Sequence, residues 1–275
     1  MWSSISKAIS ALTAGEQAEP YYDIAAERIQ NALLKIQIPE VEGLELGARA
    51  EPARLVGGDY IDVFRSGDHL LFGLGDASGK SLGAAINALM LRYLVRGLTQ
   101  ALGHESLEAI IGHTNHVVAE DLDETDYFIT LLLGTISATS GRLRIVNAGH
   151  EPALILRAEG KDVEALTMHG LVLGIDRKTP YSVEECTLDI GDRAIVYTDG
   201  LTEATNTRGE LYTLECLREN ILAHRELSAQ ELADELFDAV KAFSNGQMRD
   251  DATILVIRRM DHDLNTIVSV AGSRP

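Results

Sequence analysis

Residues 55–64 read LVGGDYIDVF. Val56, Tyr60, Ile61, Val63 and Phe64 suit a strand, yet Asp59 and Asp62 interrupt them. Aspartate is depleted in strands, so each acid needs a reason to be there. The two stand out of phase, and side chains alternate along a strand. Asp62 is therefore expected to face away from Asp59, where solvent or a hydrogen bond satisfies it. Close by, HLLFGLGDASGK (residues 69–80) ends an apolar run on Asp76. RAIVYTDG (193–200) ends on Asp199, and RDDATILVI (249–257) sets Asp250 and Asp251 before an apolar run. A single aspartate at a strand end is ordinarily a turn former. Several such ends can meet at one rim, where their carboxylates repel unless a cation sits among them. An oxygen-rich site of this kind suits Mg²⁺ or Mn²⁺. A pair of such ions can activate water and clamp a phosphate for in-line attack.

Working outward, the chain reads as a helix at 23–37 stopped by Pro39, then strands at 44–51, 58–65 and 69–75. A long helix over 81–102 is apolar most of the way round and is expected to be well buried. A second helix covers 106–122, and residues 127–149 form a hairpin turning at Thr139–Gly141. Residues 151–160 continue that sheet, and 181–200 give a strand pair around Ile190–Asp192. A helix over 228–243 opens with a capping box, Ser228 and Glu231, and a last strand follows at 251–260. Short turns between strands imply antiparallel pairing, and blocks of helices and strands argue for an α+β fold. Two sheets with helices packed outside them is the expected layering. The boundaries are an N-terminal tail or short helix at 1–22, one domain at 23–260 and a C-terminal tail at 261–275.

The chain has 275 residues and a net charge of −18. That surface repels nucleic acid and anionic membrane, so neither is an expected partner. Two cysteines, Cys186 and Cys216, make no disulfide framework and point to a reducing, cytoplasmic setting. No apolar run is long enough for a membrane span. GDASGKS (75–81) imitates a phosphate-binding loop, but Leu74 stands where that motif needs glycine. His113 and His116 lack a third ligand and read as surface residues.

The landmarks AERIQNALL, LVGGDYIDVF, GLGDASGK, LRIVNAGHEPALIL, IVYTDGLTEATN and RDDATILVI occur in that order. As an ordered set they resemble the metal-dependent PPM (protein phosphatase 2C-like) phosphatases, in the bacterial SpoIIE/RsbU-like branch. The resemblance implies a central antiparallel β-sandwich flanked by helices, in αββα layers, with two divalent cations, Mn²⁺ or Mg²⁺, at one edge. It implies that Asp76 bridges the metals and that the Ala77 carbonyl binds one of them. Asp199 and Asp250 bind the other, and Asp59 is a direct or water-mediated ligand. Catalysis would run through metal-bound water held by Asp76, Asp199 and Asp250. Lys80, Arg49 and Arg54 are candidates to hold substrate phosphate. Glu203 is a candidate to support the rim, and His150 a structural hydrogen-bonding residue. Ser78 stands where eukaryotic relatives carry a histidine, which leaves no imidazole acid there. Ser81 is a candidate N-cap.

The implied activity is hydrolysis of phosphoserine or phosphothreonine on a partner protein. In this branch that partner is typically a STAS-type anti-sigma-factor antagonist in a partner-switching pathway. Two other readings are a non-catalytic phosphoprotein-binding regulator on the same fold and a P-loop-like nucleotide hydrolase. The N-terminal helix can pack on its own domain or on a second copy, so a homodimer is one expectation.

Overall fold

A computed structural model describes residues 36–54, 56–79, 82–122, 128–167 and 170–261. The expected N-terminal helix, apart from Ile36 and Gln37, lies outside the described residues, as do Lys80 and Ser81. β1 (Leu44–Glu51), β2 (Asp59–Ser66) and β3 (His69–Ala77) fall close to the expected strands. α1 (Leu82–Leu102) and α2 (Leu107–Leu122) follow, then β4 (Ile129–Ser137), β5 (Arg142–Ala148), β6 (Ala153–Leu156) and β7 (Val163–Leu166). The chain continues with β8 (Val183–Thr187), β9 (Arg193–Tyr197), α3 (Asp199–Thr202), α4 (Thr213–Ala223), α5 (Ala229–Phe243) and β10 (Ala252–Arg259).

The strands form two sheets, ordered β1-β10-β9-β6-β7 and β2-β3-β4-β5-β8. Every ladder between named strands is antiparallel. Ile61, Val63, Phe72 and Leu132 of one sheet meet Ile155, Val196, Leu255 and Ile257 of the other in the core between them. On the outer face of the second sheet, α1 and α2 bury Leu91, Val95, Leu107 and Ile110 against Tyr60, Leu71 and Leu131. On the outer face of the first, α4 and α5 bury Leu217, Ile221, Leu236 and Phe237 against Ile195, Tyr197 and Ile254. The result is the α+β sandwich in αββα layers that the strand blocks imply. The Ser228–Glu231 capping box opens α5 with both reciprocal hydrogen bonds.

Three expectations are corrected. β8 and β9 are joined by a short turn, yet they lie in different sheets and do not pair with each other. β6 likewise leaves the sheet of β5 for the opposite one. In both places the chain crosses the sandwich: β6 and β9 are apolar on both faces, and there Ile155 and Val196 enter the core between the sheets while Leu154 and Tyr197 pack under α4 and α5. α1 is not buried all round: Ala84, Ala85 and Ala88 are inaccessible, while Met90 and Tyr93 are 50% and 66% exposed.

Candidate metal centre

β2 and β3 pair in a register that sets Asp59 directly opposite Asp76. Asp59 shares its face with Ile61 and Val63, which point between the sheets. From the opposite sheet, the hydroxyls of Thr198 and Thr253 donate to Asp59 Oδ2 at 2.9 and 2.6 Å. Thr198 also ties the two strand ends of its own sheet together, its N–H reaching the Thr253 carbonyl at 3.0 Å. Asp199, the next residue, begins the α3 turn. Asp76 and Asp199 line one cleft of about 50 Å³ with Thr130, Gly149, His150 and Glu151. A larger groove of about 330 Å³ between α1 and α2, lined by Met90, Tyr93 and Val117 among others, offers no carboxylate or imidazole.

Asp62 answers the second half of the opening puzzle. It faces α1, where Arg96 grips its carboxylate with two hydrogen bonds of 2.5 and 2.7 Å. Asp62 is thus buried and ion-paired, not solvated.

Neighbouring backbone comes very close around the rim. A Cβ on Gly200 would lie 1.9 Å from the Asp251 carbonyl oxygen, and one on Gly58 would lie 2.5 Å from that of Ala77. Asp251 is the buried member of the acidic pair. Its two carboxylate oxygens accept from Ala53 N–H at 2.8 Å and Gly58 N–H at 2.7 Å, which pins the loop leading into β2. Asp250 keeps partial exposure and acts on Asp199 through its charge. Behind Asp76, its N–H donates to Thr130 Oγ1 at 3.1 Å, and that hydroxyl meets His150 Nδ1 at 2.8 Å. The Thr130 hydroxyl thereby links the Asp76 backbone to the buried imidazole. Burial pushes His150 down to about 4, so it is neutral.

The electrostatics fit a cation. Burial first, then the charges of Asp76 and Asp251, raise the Asp59 pKa well above the carboxylate range. Burial, then Asp250, Glu203 and Glu151, lift Asp199 to about 6. The charges that raise both groups are other carboxylates, so the donor set is all oxygen and negative. No three of the rim carboxylates bring oxygens within 4.8 Å of one another, so they line an open edge, not a closed cage. Each of the four keeps part of its surface accessible.

A stability prediction follows from the raised values. An acid whose folded pKa exceeds its unfolded one favours the folded state at low pH, and that advantage is lost as pH rises through the folded value. Chelator-treated protein is therefore expected to lose stability between about pH 4 and pH 7. Asp199 contributes on the order of 2 kcal/mol, allowing for the water that still reaches it. Mn²⁺ restores the loss. Thermal melts across that range check this, and a flat metal-free profile refutes it.

The remaining candidates are distributed differently. Ser78 exchanges hydrogen bonds with the backbone of Phe128, its N–H to the carbonyl at 3.0 Å and its hydroxyl from the N–H at 2.9 Å. Arg54 is exposed on the loop before Asp59. Arg49 is not brought to the rim. Its guanidinium lies 4.4 Å over the Phe237 ring of α5 and pairs with Glu51 and Asp238, each at 2.7 Å. The phosphate-binding expectation for Arg49 is dropped, because its donors are committed on the outer face. His113, His116 and Glu203 are exposed.

A model of the family described as Stage II sporulation protein E (SpoIIE) matches residues 66–260, well over half of the sequence. The chain belongs to the SpoIIE family. It is 29% identical over 234 residues to the phosphoserine phosphatase RsbU of Bacillus subtilis, covering 85% of this chain and 69% of RsbU. The SiaA-PP2C domain of Pseudomonas aeruginosa shares the fold with a TM-score of 0.73 at 21% identity, over 91% of this chain and 100% of that one. The catalytic domain of the phosphatase PstP, a structure holding 2 manganese ions, matches with a TM-score of 0.61 at 16% identity, over 79% of this chain and 99% of that one. Family membership and the likeness to RsbU make this a PPM-type phosphatase chain, and the two structures share its fold.

That fold removes the nucleotide-hydrolase reading. The imitation P-loop at the end of β3 and the strand ending in Asp199 lie in different antiparallel sheets. A P-loop belongs to a strand–loop–helix unit of a parallel sheet. The reading of the SpoIIE-family sequence missed the hydroxyls of Thr198, Thr253 and Thr130, together with Glu151. Threonine is common in strands, so the only available signal for Thr198, Thr253 and Glu151 was proximity in sequence to Asp199, Asp251 and His150; Thr130, 20 residues before His150, had none.

Proposed function

We propose that this chain is a metal-dependent protein-serine/threonine phosphatase acting on phosphoserine or phosphothreonine of a partner protein. The observation that carries the reading is the meeting of Asp59, Asp76, Asp199 and Asp250 at one edge of the sandwich, from segments up to 191 residues apart. Asp76, Asp199 and Asp250, with Asp59 and the Ala77 carbonyl, would hold two divalent cations, Mn²⁺ or Mg²⁺. Such ions, when bound, supply positive charge for the phosphoryl oxygens and acidify water. The chain's own contribution is to aim the carboxylates. Thr198 and Thr253 orient Asp59, the Thr130–His150 pair fixes the backbone of Asp76, and Asp251 secures the loop into β2. The acids alone repel a phosphate dianion, so substrate binding depends on the cations. Arg54 and Lys80, four residues after Asp76, are the candidates to meet the phosphate from the protein side.

The partner is a phosphorylated STAS-domain anti-sigma-factor antagonist in a cytoplasmic partner-switching pathway. The likeness to RsbU supports this finer reading. Among the described residues no helix is long and apolar enough to cross a membrane. The test is phosphate release from a phosphoserine STAS protein with Mn²⁺, with Mg²⁺ and with chelator. Release that requires the metal is the expected result. Tight binding of the phosphoprotein without release, in either metal, supports the non-catalytic regulator instead.

A further inference from the structure

Beside the aspartate rim the chain passes from one sheet to the other. β5 ends at Ala148 in the sheet that carries Asp76, and β6 begins at Ala153 next to β9, the strand that leads into Asp199. Residues 149–152 make the crossing. Gly149, His150 and Glu151 line the same cleft as Asp76 and Asp199. The two consecutive side chains reach opposite ways. His150 Nδ1 meets Thr130 Oγ1 at 2.8 Å, the hydroxyl that accepts from the Asp76 N–H. Glu151 Oε2 accepts from the Tyr197 hydroxyl at 3.3 Å, two residues before Asp199. The Tyr197 carbonyl also acts on the His150 ring.

The crossing is itself tightly held. The Asn147 side chain is buried and grips it from inside. Its Oδ1 accepts from the His150 N–H at 2.7 Å, and its Nδ2 donates to the carbonyls of His150 and Glu151 at 3.0 and 3.3 Å. The Asn147 carbonyl accepts from the Gly170 N–H at 2.8 Å, so the segment from Gly170 backs the turn. Gly149 adopts φ 68°, and a Cβ there would lie 2.3 Å from Val172 Cγ1, so the turn admits no side chain at that point. A buried amide satisfied on both its oxygen and its nitrogen rigidifies whatever it holds.

The sheets explain why such a piece matters. Ladder hydrogen bonds fix strands within a sheet, while the two sheets meet through side chains about 10 Å thick. Asp76 and Asp199 stand at the ends of strands in different sheets. The ligands of one metal centre must be held to within about 0.5 Å, which apolar packing alone does not enforce.

We propose that the Asn147–Glu151 crossing is a brace that sets the span between Asp76 and Asp199, with His150 and Glu151 as positioning residues for metal binding. The inference rests on the metal-dependent reading above. His150 acts through Nδ1 on Thr130 and so on the Asp76 backbone. Glu151 acts through Tyr197 on the strand end that presents Asp199. Outer contacts of this kind govern metal affinity by about 10–100-fold.

The test reads Mn²⁺ binding directly, by calorimetric titration of the full chain after chelator treatment, with phosphate release recorded separately. Asparagine at 150 keeps a polar atom near the place of Nδ1, whereas glutamine keeps one near Nε2 and loses the first. His150→Gln is therefore expected to weaken Mn²⁺ binding about 10–100-fold, and His150→Asn to stay within about threefold of the parent. Tyr197→Phe, which removes only the hydroxyl, is expected to weaken binding about tenfold. A residue that merely supported the fold would lower the metal-free melting midpoint and leave the Mn²⁺ affinity of the folded protein unchanged. Affinity within about twofold of the parent in both His150→Gln and Tyr197→Phe overturns the brace, as does equal weakening by His150→Asn and His150→Gln. Should His150→Gln fail to fold, the isosteric Thr130→Val carries the same reading. A parent that binds Mn²⁺ yet releases no phosphate counts against the phosphatase reading alone, and the variants still decide the brace.

Discussion

Asp76→Asn is expected to lower metal-dependent phosphate release from a phosphoserine protein by about 10³-fold, the scale lost when an electrostatic anchor of a transition state is removed. Asp76 is the residue that all the local geometry serves. It stands opposite Asp59, shares a cleft with Asp199, and has its backbone fixed by Thr130. Asparagine keeps the shape and hydrogen-bonding capacity but removes the charge a cation would bind. Loss of folding does not account for such a result. The variant has one fewer charge at a rim where burial and repulsion already raise Asp59. Its metal-free melting midpoint is therefore expected to equal or exceed that of the parent, while the gain on adding Mn²⁺ shrinks. Turnover within tenfold of the parent would remove Asp76 from the centre.

The largest loss of stability is expected from Arg96→Ala. Asp62 is only 5% exposed and takes both of its short hydrogen bonds from Arg96. Removing that partner leaves a buried carboxylate uncompensated beside Tyr60, whose own hydroxyl is buried. Breaking one side of such a pair costs about 3 kcal/mol, or roughly 8 °C in the melting midpoint of a domain this size. Replacing both partners, Asp62→Asn with Arg96→Ala, is expected to recover a large part of the loss. Urea titration of the parent, the single and the double variants measures both quantities. A single-variant loss under about 1 kcal/mol would show that solvent reaches Asp62 and satisfies it.

The rim was legible because each acid carried its own punctuation. An apolar run that stops on aspartate beside glycine marks both a strand end and a close backbone approach, and Gly58 and Gly200 bear this out. Sheet membership was not legible between β8 and β9. A short Gly-containing turn resembles a hairpin, and the contrast between β9, buried on both faces, and the half-exposed β8 was the signal that the two occupy different places. α4 was missed for a local reason. Its N-cap position is Tyr212, with no side-chain cap, and the signals at its start are weak ones: Glu215 in the first turn, and Thr213, at φ 67°, whose hydroxyl stands 3.5 Å from the Cys216 N–H. Alternation leaves solvent or a hydrogen bond open for Asp62, and the partner that decides it, Arg96, lies 34 residues away on α1, a distance that strand alternation cannot report.

β10 lies between β1 and β9, although it is the last strand among the described residues. During synthesis, one edge of that sheet must wait, unpaired, until residues 252–259 leave the ribosome. Asp250 and the Thr253 hydroxyl arrive with the same segment. A chain that stops short of this segment lacks the strand that joins β1 to β9 and, with it, two of the groups gathered at the aspartate rim.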